Sequence, residues 1–171
     1  MLSDQLIKNE PQPGRVVEKS TIDHLGVTQL KLSNGGQVFI KPTDYKNDEI
    51  QFMAHSYGGI SLAEDKDYWS ASFATSIVGL SGIGDYSYTD LQKVLAGKSV
   101  GIQPFLSDNE QGFRGNASPK DIGTLMQLAH LYFTQVRKDE SAFQSLMQRN
   151  SAFLANVMSD PNYYYQDKMA R

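Results

Sequence analysis

The hydrophobic period of this chain changes at Gly58-Gly59. Ahead of that pair, "TQLKLSNGGQVFIKP" holds two short alternating runs, Thr28–Leu32 and Gln37–Lys41. "DEIQFMAHSYGG" alternates again, with Ile50, Phe52 and Ala54 on one face. Behind the pair, Trp69, Phe73, Ile77 and Leu80 recur at three- or four-residue spacing. A period of two is that of a half-buried strand, and a period near 3.6 is that of a helix with one apolar face. The chain therefore has to build a sheet and helices that cover it.

Local signals place the breaks. Asn34-Gly35-Gly36 supplies the positive φ angles of a tight hairpin turn, so the first two runs pair antiparallel. The three strands up to Gly58 are expected to form adjacent antiparallel pairs. "YWSASFATSIVG", Tyr68 to Gly79, reads as a helix started by Asp65 or Asp67 and ended by Gly79, Gly82 and Gly84. "SYTDLQKVLAGK" is a shorter helix with Leu91, Val94 and Leu95 inward and Gly97 as its stop. "SVGIQPFLSDNEQGFRGNA" gives two strands around an Asp108-Asn109-Glu110 turn. In "SPKD", Ser118 is a strong N-cap, Pro119 suits the first helical position and Asp121 sits where the helix dipole favours an anion. The helix behind it is expected to bury Ile122, Leu125, Met126, Ala129, Tyr132, Phe133 and Val136. A second long helix carries Phe143, Leu146, Met147, Phe153, Leu154 and Val157, and "SDPNYYYQDKMAR" begins another. The sum is an α+β two-layer sandwich, an antiparallel or mixed sheet with helices packed on one face.

At 171 residues the chain suits one domain, able to remove roughly 70% of its unfolded surface from water. It has no cysteine, which excludes disulfides, thiolate metal sites and a cysteine nucleophile. The net charge is −3 and the basic residues are scattered, so nucleic acid is not an expected partner. No run approaches the ~18 apolar residues that span a bilayer, and the N-terminus lacks the apolar core of a targeting signal. Residues 1–16, with "KNEPQPGR", read as an interdomain linker, and 17–171 as one domain.

A search for chemistry finds little. His24, His55 and His130 each lack a histidine or acid one helical turn on. "GLSGIGDYS" misses the Lys-Ser/Thr of a phosphate loop and ends a helix, and "GLSGI" around Ser81 is not a nucleophile elbow. "NAS" at Asn116–Ser118 matches a glycosylation acceptor but is already explained by the cap at Ser118. Glu64, Asp65 and Asp67 read as a solvated helix start, and Tyr163–Tyr165 as packing residues. No catalytic, cofactor-binding or metal-binding residue is assigned.

Order and spacing carry a resemblance. "LKLSNGGQVFIKPTDYKNDEIQFMAHSYGGIS" resembles the opening of a domain in the pitrilysin/insulinase-type zinc metallopeptidases. Those domains begin with an L-x-N-G-x-x-V hairpin, matched by Leu32, Asn34, Gly35 and Val38, and a strand ending in a small-residue turn, matched by Gly58-Gly59. The likeness runs on through "GIGDYSYTDLQKVLAGKSVGIQPFLSDNEQGFRGNASPKDIGTLMQLAHLYFTQVRKD". It implies the processing-peptidase-like two-layer fold. A catalytic domain of this family carries H-x-x-E-H on the helix after the Gly-Gly strand, two histidines for zinc and a glutamate for the attacking water, with a further glutamate ligand on a later helix. "YWSASFATSIVGLSG" has neither histidine nor acid, and "SAFQSLMQRNSAFLANV" has no glutamate.

The resemblance is to the first domain of the second half of a long bacterial member. It implies a catalytically inert domain in the wall of a substrate-enclosing chamber, inside a parent zinc endopeptidase of the periplasm or cell envelope. Zinc is then expected in the parent's catalytic domain and not in this chain. The expected partners are peptide substrates, held through backbone bonds along an exposed strand edge, and other domains of the same polypeptide. The chain is expected to stop short of a complete domain. The alternative is a non-catalytic partner subunit or assembly scaffold acting by protein–protein contact. A third reading, an unrelated enzyme built on His24, His55 or His130, finds no catalytic neighbour in the sequence.

Overall fold

The computed structural model describes residues 5–157 and 159–170. Residues 1–4, 158 and 171, which the linker and domain expectations also cover, lie outside the described residues. Among the described residues there are two three-stranded antiparallel sheets and five α-helices. Strands β1 (Val16–Ile22), β2 (Val27–Leu32) and β3 (Gln37–Ile40) form the first sheet, in that order. Strands β4 (Ile50–Tyr57), β5 (Val100–Leu106) and β6 (Glu110–Ala117) form the second, in the order β4-β6-β5. The β2–β3 turn closes as expected, with Gly35 at φ 86° and the Leu32 N–H donating to the Gly36 carbonyl at 2.8 Å.

Two strand expectations change. β1 was not foreseen, because Glu18–Thr21 is polar throughout and the strand is exposed from Val16 to Thr21, so no alternation of apolar residues reveals it. The run of adjacent antiparallel pairs also ends at β3: β4 pairs with β6 instead. The reason lies in the side chains. Phe52 of β4 joins Ile102 of β5 and Phe113 of β6 at the core, whereas β1 and β3 contribute no buried residue.

The helices are α1 (Tyr68–Ser81), α2 (Tyr88–Val94), α3 (Ile122–Thr134), α4 (Glu140–Val157) and α5 (Pro161–Ala170). α1 and α3 pack on the second sheet and α4 packs across α1. The fully buried side chains Ile83, Leu125, Leu128 and Leu131 lie on α3 and the turn after α1. Each such burial is worth about 1.5–3 kcal/mol.

α3 presents a different stripe from the one expected. Thr124, Leu125, Leu128, Ala129 and Leu131 are buried, while Met126, Phe133 and Val136 are exposed. Large apolar residues occur all around this helix, so the 3.6 period does not fix which phase faces the sheet. The expected inward residues Trp69 and Phe73 of α1 are likewise exposed, as are Phe143, Met147, Phe153 and Leu154 of α4. Among the described residues α4 and α5 bury no side chain, and α4 meets the rest of the fold through α1.

The "SPKD" start has its own chemistry. Pro119–Asp121 forms a 3-10 turn before α3, and Ser118 makes no side-chain cap to the backbone. Its hydroxyl donates to the Asp121 carboxylate at 2.6 Å, and the Ser99 N–H donates to the same oxygen at 2.9 Å. These two donors hold the Asp121 carboxyl below the usual range. α2 follows expectation in that Leu91 is buried and Gly97 stands at φ 80°; Ser87, unassigned from the sequence, caps it by accepting the Asp90 N–H.

The stretch read as a linker is tied down near its start. Leu6 and Ile7 are buried in the main core cluster. Residues 8–15 are exposed and carry no regular structure.

Candidate functional site

α1 is built to lie close to the sheet on small side chains. Ala74, Thr75 and Val78 face Ala54, Pro104 and Phe113 across an apolar recess of about 430 Å³. On its other flank Thr75, Ser76, Gly79 and Leu80 line a wider open groove of about 1220 Å³, together with Leu91 and Leu95 and with Val100–Pro104 of β5. Two of the hydroxyls threaded through α1 serve the helix itself. Ser72 Oγ donates to the Tyr68 carbonyl at 2.8 Å, and Ser81 Oγ to the Ile77 carbonyl at 2.7 Å. Such back-bonding is the ordinary fate of a serine inside a helix, and no base stands beside either group.

The three histidines occupy separate elements. His24 lies in the Asp23–Leu25 turn, His55 on β4 with its ring against Tyr57 at 6.0 Å, and His130 on α3. Among the described residues, no group of three or more histidines and acids is placed to hold a metal ion. Between Tyr68 and Ser81, α1 offers no imidazole and no carboxylate, so its donor set does not fit zinc. Burial raises the pKa of Tyr132, but that ring packs against Phe113 within the core.

The edges of the second sheet carry the remaining binding capacity. Ladder parity follows from three bonds: Ser107 N–H to the Glu110 carbonyl, Ser118 N–H to the Ser99 carbonyl, and Gly58 N–H to the Asn109 carbonyl. In an antiparallel pair, bonded and non-bonded positions alternate. Carried through the registers, Val100, Ile102, Pro104 and Leu106 of β5 turn their backbone groups away from β6. Proline has no N–H, so Pro104 interrupts this edge at its middle. On β4 the outward positions are Gln51, Met53, His55 and Tyr57, each with its N–H. All four are exposed, Met53 at 56% and Tyr57 at 81%. β4 thus offers an unbroken edge of four donors and four acceptors. A strand edge of this kind recognises an extended backbone through hydrogen bonds alone. Sequence reading expected such an edge and did not locate it, since register is visible only once the partner strand is known.

No protein-family model matches the chain. Two curated proteins align with most of it. A zinc protease PQQL-like protein of Arabidopsis thaliana is 33% identical over 130 residues, 75% of this chain. The probable zinc protease PqqL of Haemophilus influenzae is 27% identical over 118 residues, 69% of this chain. The chain is homologous to a domain-sized part of the pitrilysin-type zinc proteases. It spans 13% of the length of each of these relatives.

Solved structures bear out the pitrilysin-type α+β fold. The periplasmic protease PqqL from Escherichia coli superposes with a TM-score of 0.80 at 22% identity, over 99% of this chain and 18% of that one. A mutant of the ferredoxin protease FusC, in complex with Arabidopsis ferredoxin, superposes at 0.79 with 20% identity, over 99% of this chain and 19% of that one. No helix among the described residues is long and apolar enough to cross a membrane.

Proposed function

We propose that this chain is a catalytically inert domain of a zinc metalloendopeptidase, forming part of the wall that encloses substrate peptides. One observation carries the reading: α1 follows the Gly58-Gly59 strand as the zinc-binding helix does in the family, yet holds no metal ligand and no base. Zinc and hydrolysis then belong to another domain of the parent polypeptide. The contribution of this domain is binding: an extended substrate segment adds to the β4 edge through Gln51, Met53, His55 and Tyr57. Recognition by backbone bonds tolerates many sequences, which suits a chamber that selects by size. A periplasmic or cell-envelope address for the parent is part of the same proposal, supported by the periplasmic PqqL structure.

The test is metal analysis of the purified, chelator-washed chain alongside a peptide-cleavage assay. The expected result is zinc far below one ion per chain and no cleavage. Stoichiometric zinc defeats the proposal. An immunoblot of source cells with an antibody against this chain separates it from the partner-subunit alternative. A band several times larger than 19.0 kDa supports the multi-domain peptidase, and a band near 19.0 kDa supports the free subunit.

A further inference from the structure

The segment Gln5–Lys8 has the contacts of a bound peptide. Leu6 is 4% exposed and Ile7 8%, and both pack in the cluster with Ile83, Leu91, Leu128 and Leu131. Their backbone N–H groups both donate to Gln127 Oε1, at 2.7 Å from Leu6 and 3.4 Å from Ile7. A single side-chain amide on α3 therefore reads two consecutive backbone donors, 121 and 120 residues away in sequence. Lys8 Nζ then meets Asp85 Oδ2 at 2.7 Å. A further space of about 280 Å³ remains beside the segment, walled by Asn9, Asp85, His130, Leu131 and Gln135.

The residues that follow behave as a tether. Asn9–Arg15 is exposed and contains two prolines and a glycine, a composition that holds neither helix nor strand. The ligand-like part is thus connected to β1 by an exposed stretch without regular structure and is held by two apolar side chains and several polar contacts.

We propose that the groove between α3 and the Ile83–Tyr86 turn is a binding site for an extended apolar–apolar–basic peptide, and that this chain fills it with its own Leu6, Ile7 and Lys8. Gln127 supplies backbone recognition, the core cluster supplies two apolar subsites, and Asp85 adds a weak preference for a basic residue through an exposed ion pair.

The test uses the full chain carrying Leu6→Ser and Ile7→Ser, with a fluorescent, capped peptide of sequence QLIKN added in trans. The doubly substituted chain, its fold checked by circular dichroism, is expected to bind this peptide at least ten-fold tighter than the unsubstituted chain does. A control peptide, QSSKN, is expected not to compete. A folded variant that fails to bind QLIKN, or equal binding by both chains, overturns the proposal. If the variant does not fold, hydrogen exchange on the unsubstituted chain decides. The Leu6 and Ile7 amides are expected to exchange at least ten-fold more slowly than those of Asn9, Gln12 and Gly14. Equal exchange rates overturn the proposal.

Discussion

The Ser99 backbone N–H donates to the carboxylate of Asp121 at 2.9 Å, joining the residue before β5 to the turn that starts α3. The Ser118 hydroxyl donates to the same oxygen. Both bonds favour the ionised acid, so the folded-state pKa of Asp121 lies below its unfolded value. The resulting stabilisation is complete above the ordinary aspartate range and is lost as pH falls through the lower, folded value. Asp121→Asn is expected to flatten this part of the pH dependence below about pH 4. Urea midpoints measured against pH for both proteins check it, and parallel curves count against the assignment.

The phase of α3 is open to a paired comparison. Leu128 is 2% exposed and Phe133 72%. Leu128→Ala is expected to cost about 2–5 kcal/mol, whereas Phe133→Ala should cost no more than about 1.5 kcal/mol, the scale of its edge contact with Phe113. Denaturant unfolding of the two variants decides it, and the reverse order would mean that the helix presents its other face to the sheet.

Gly82 ends α1 at φ 80° and ψ −160°, a region open essentially to glycine alone. A Cβ there would also run into the backbone of Tyr86 and Ser87. Gly82→Ala should therefore lose about 2 kcal/mol or more. Gly123 has open space around its Cβ position and an ordinary φ, so Gly123→Ala serves as the tolerated control in the same thermal melts.

Ladder parity on β4 predicts an alternating pattern of amide exchange. Gln51, Met53, His55 and Tyr57 should exchange at least ten-fold faster than Phe52, Ala54 and Ser56, whose amides face β6. By the same logic Met53→Pro should keep the fold and weaken binding of an extended peptide, while Phe52→Pro should break the ladder. A uniform exchange profile along the strand would remove the basis for edge docking.

Under the proposed function, separate substitution of His24, His55 and His130 by alanine leaves the zinc content and peptidase activity of the parent polypeptide unchanged. Loss of bound zinc in any one of them, measured with the fold intact, would place a ligand in this domain.

Legibility in the sequence followed locality. The hairpin at Asn34-Gly35, the stop at Gly97 and the helix starting near Tyr68 all depend on neighbours within a few residues. Features decided by distant partners were hidden. β1 carries no apolar alternation and is held by pairing with β2, and β4 paired with a strand more than fifty residues away. Leu6 and Ile7 were overlooked because the prolines that follow them carry the signal of a linker. That α1 carries no histidine or acid was readable because composition needs no coordinates, but the outward edge of β4 required the register of β6.

Pro104 has a consequence for how copies of this sheet can meet. Head-to-tail pairing, β4 of one copy on β5 of the next, would generate an open fibre, as any non-closing heterologous contact does. That contact needs an unbroken β5, and the missing donor in its centre penalises every step of growth. Pairing β4 with β4 across a two-fold axis has no such gap and leaves only the two interrupted strands outside. Self-association through this sheet is therefore expected to end at the dimer.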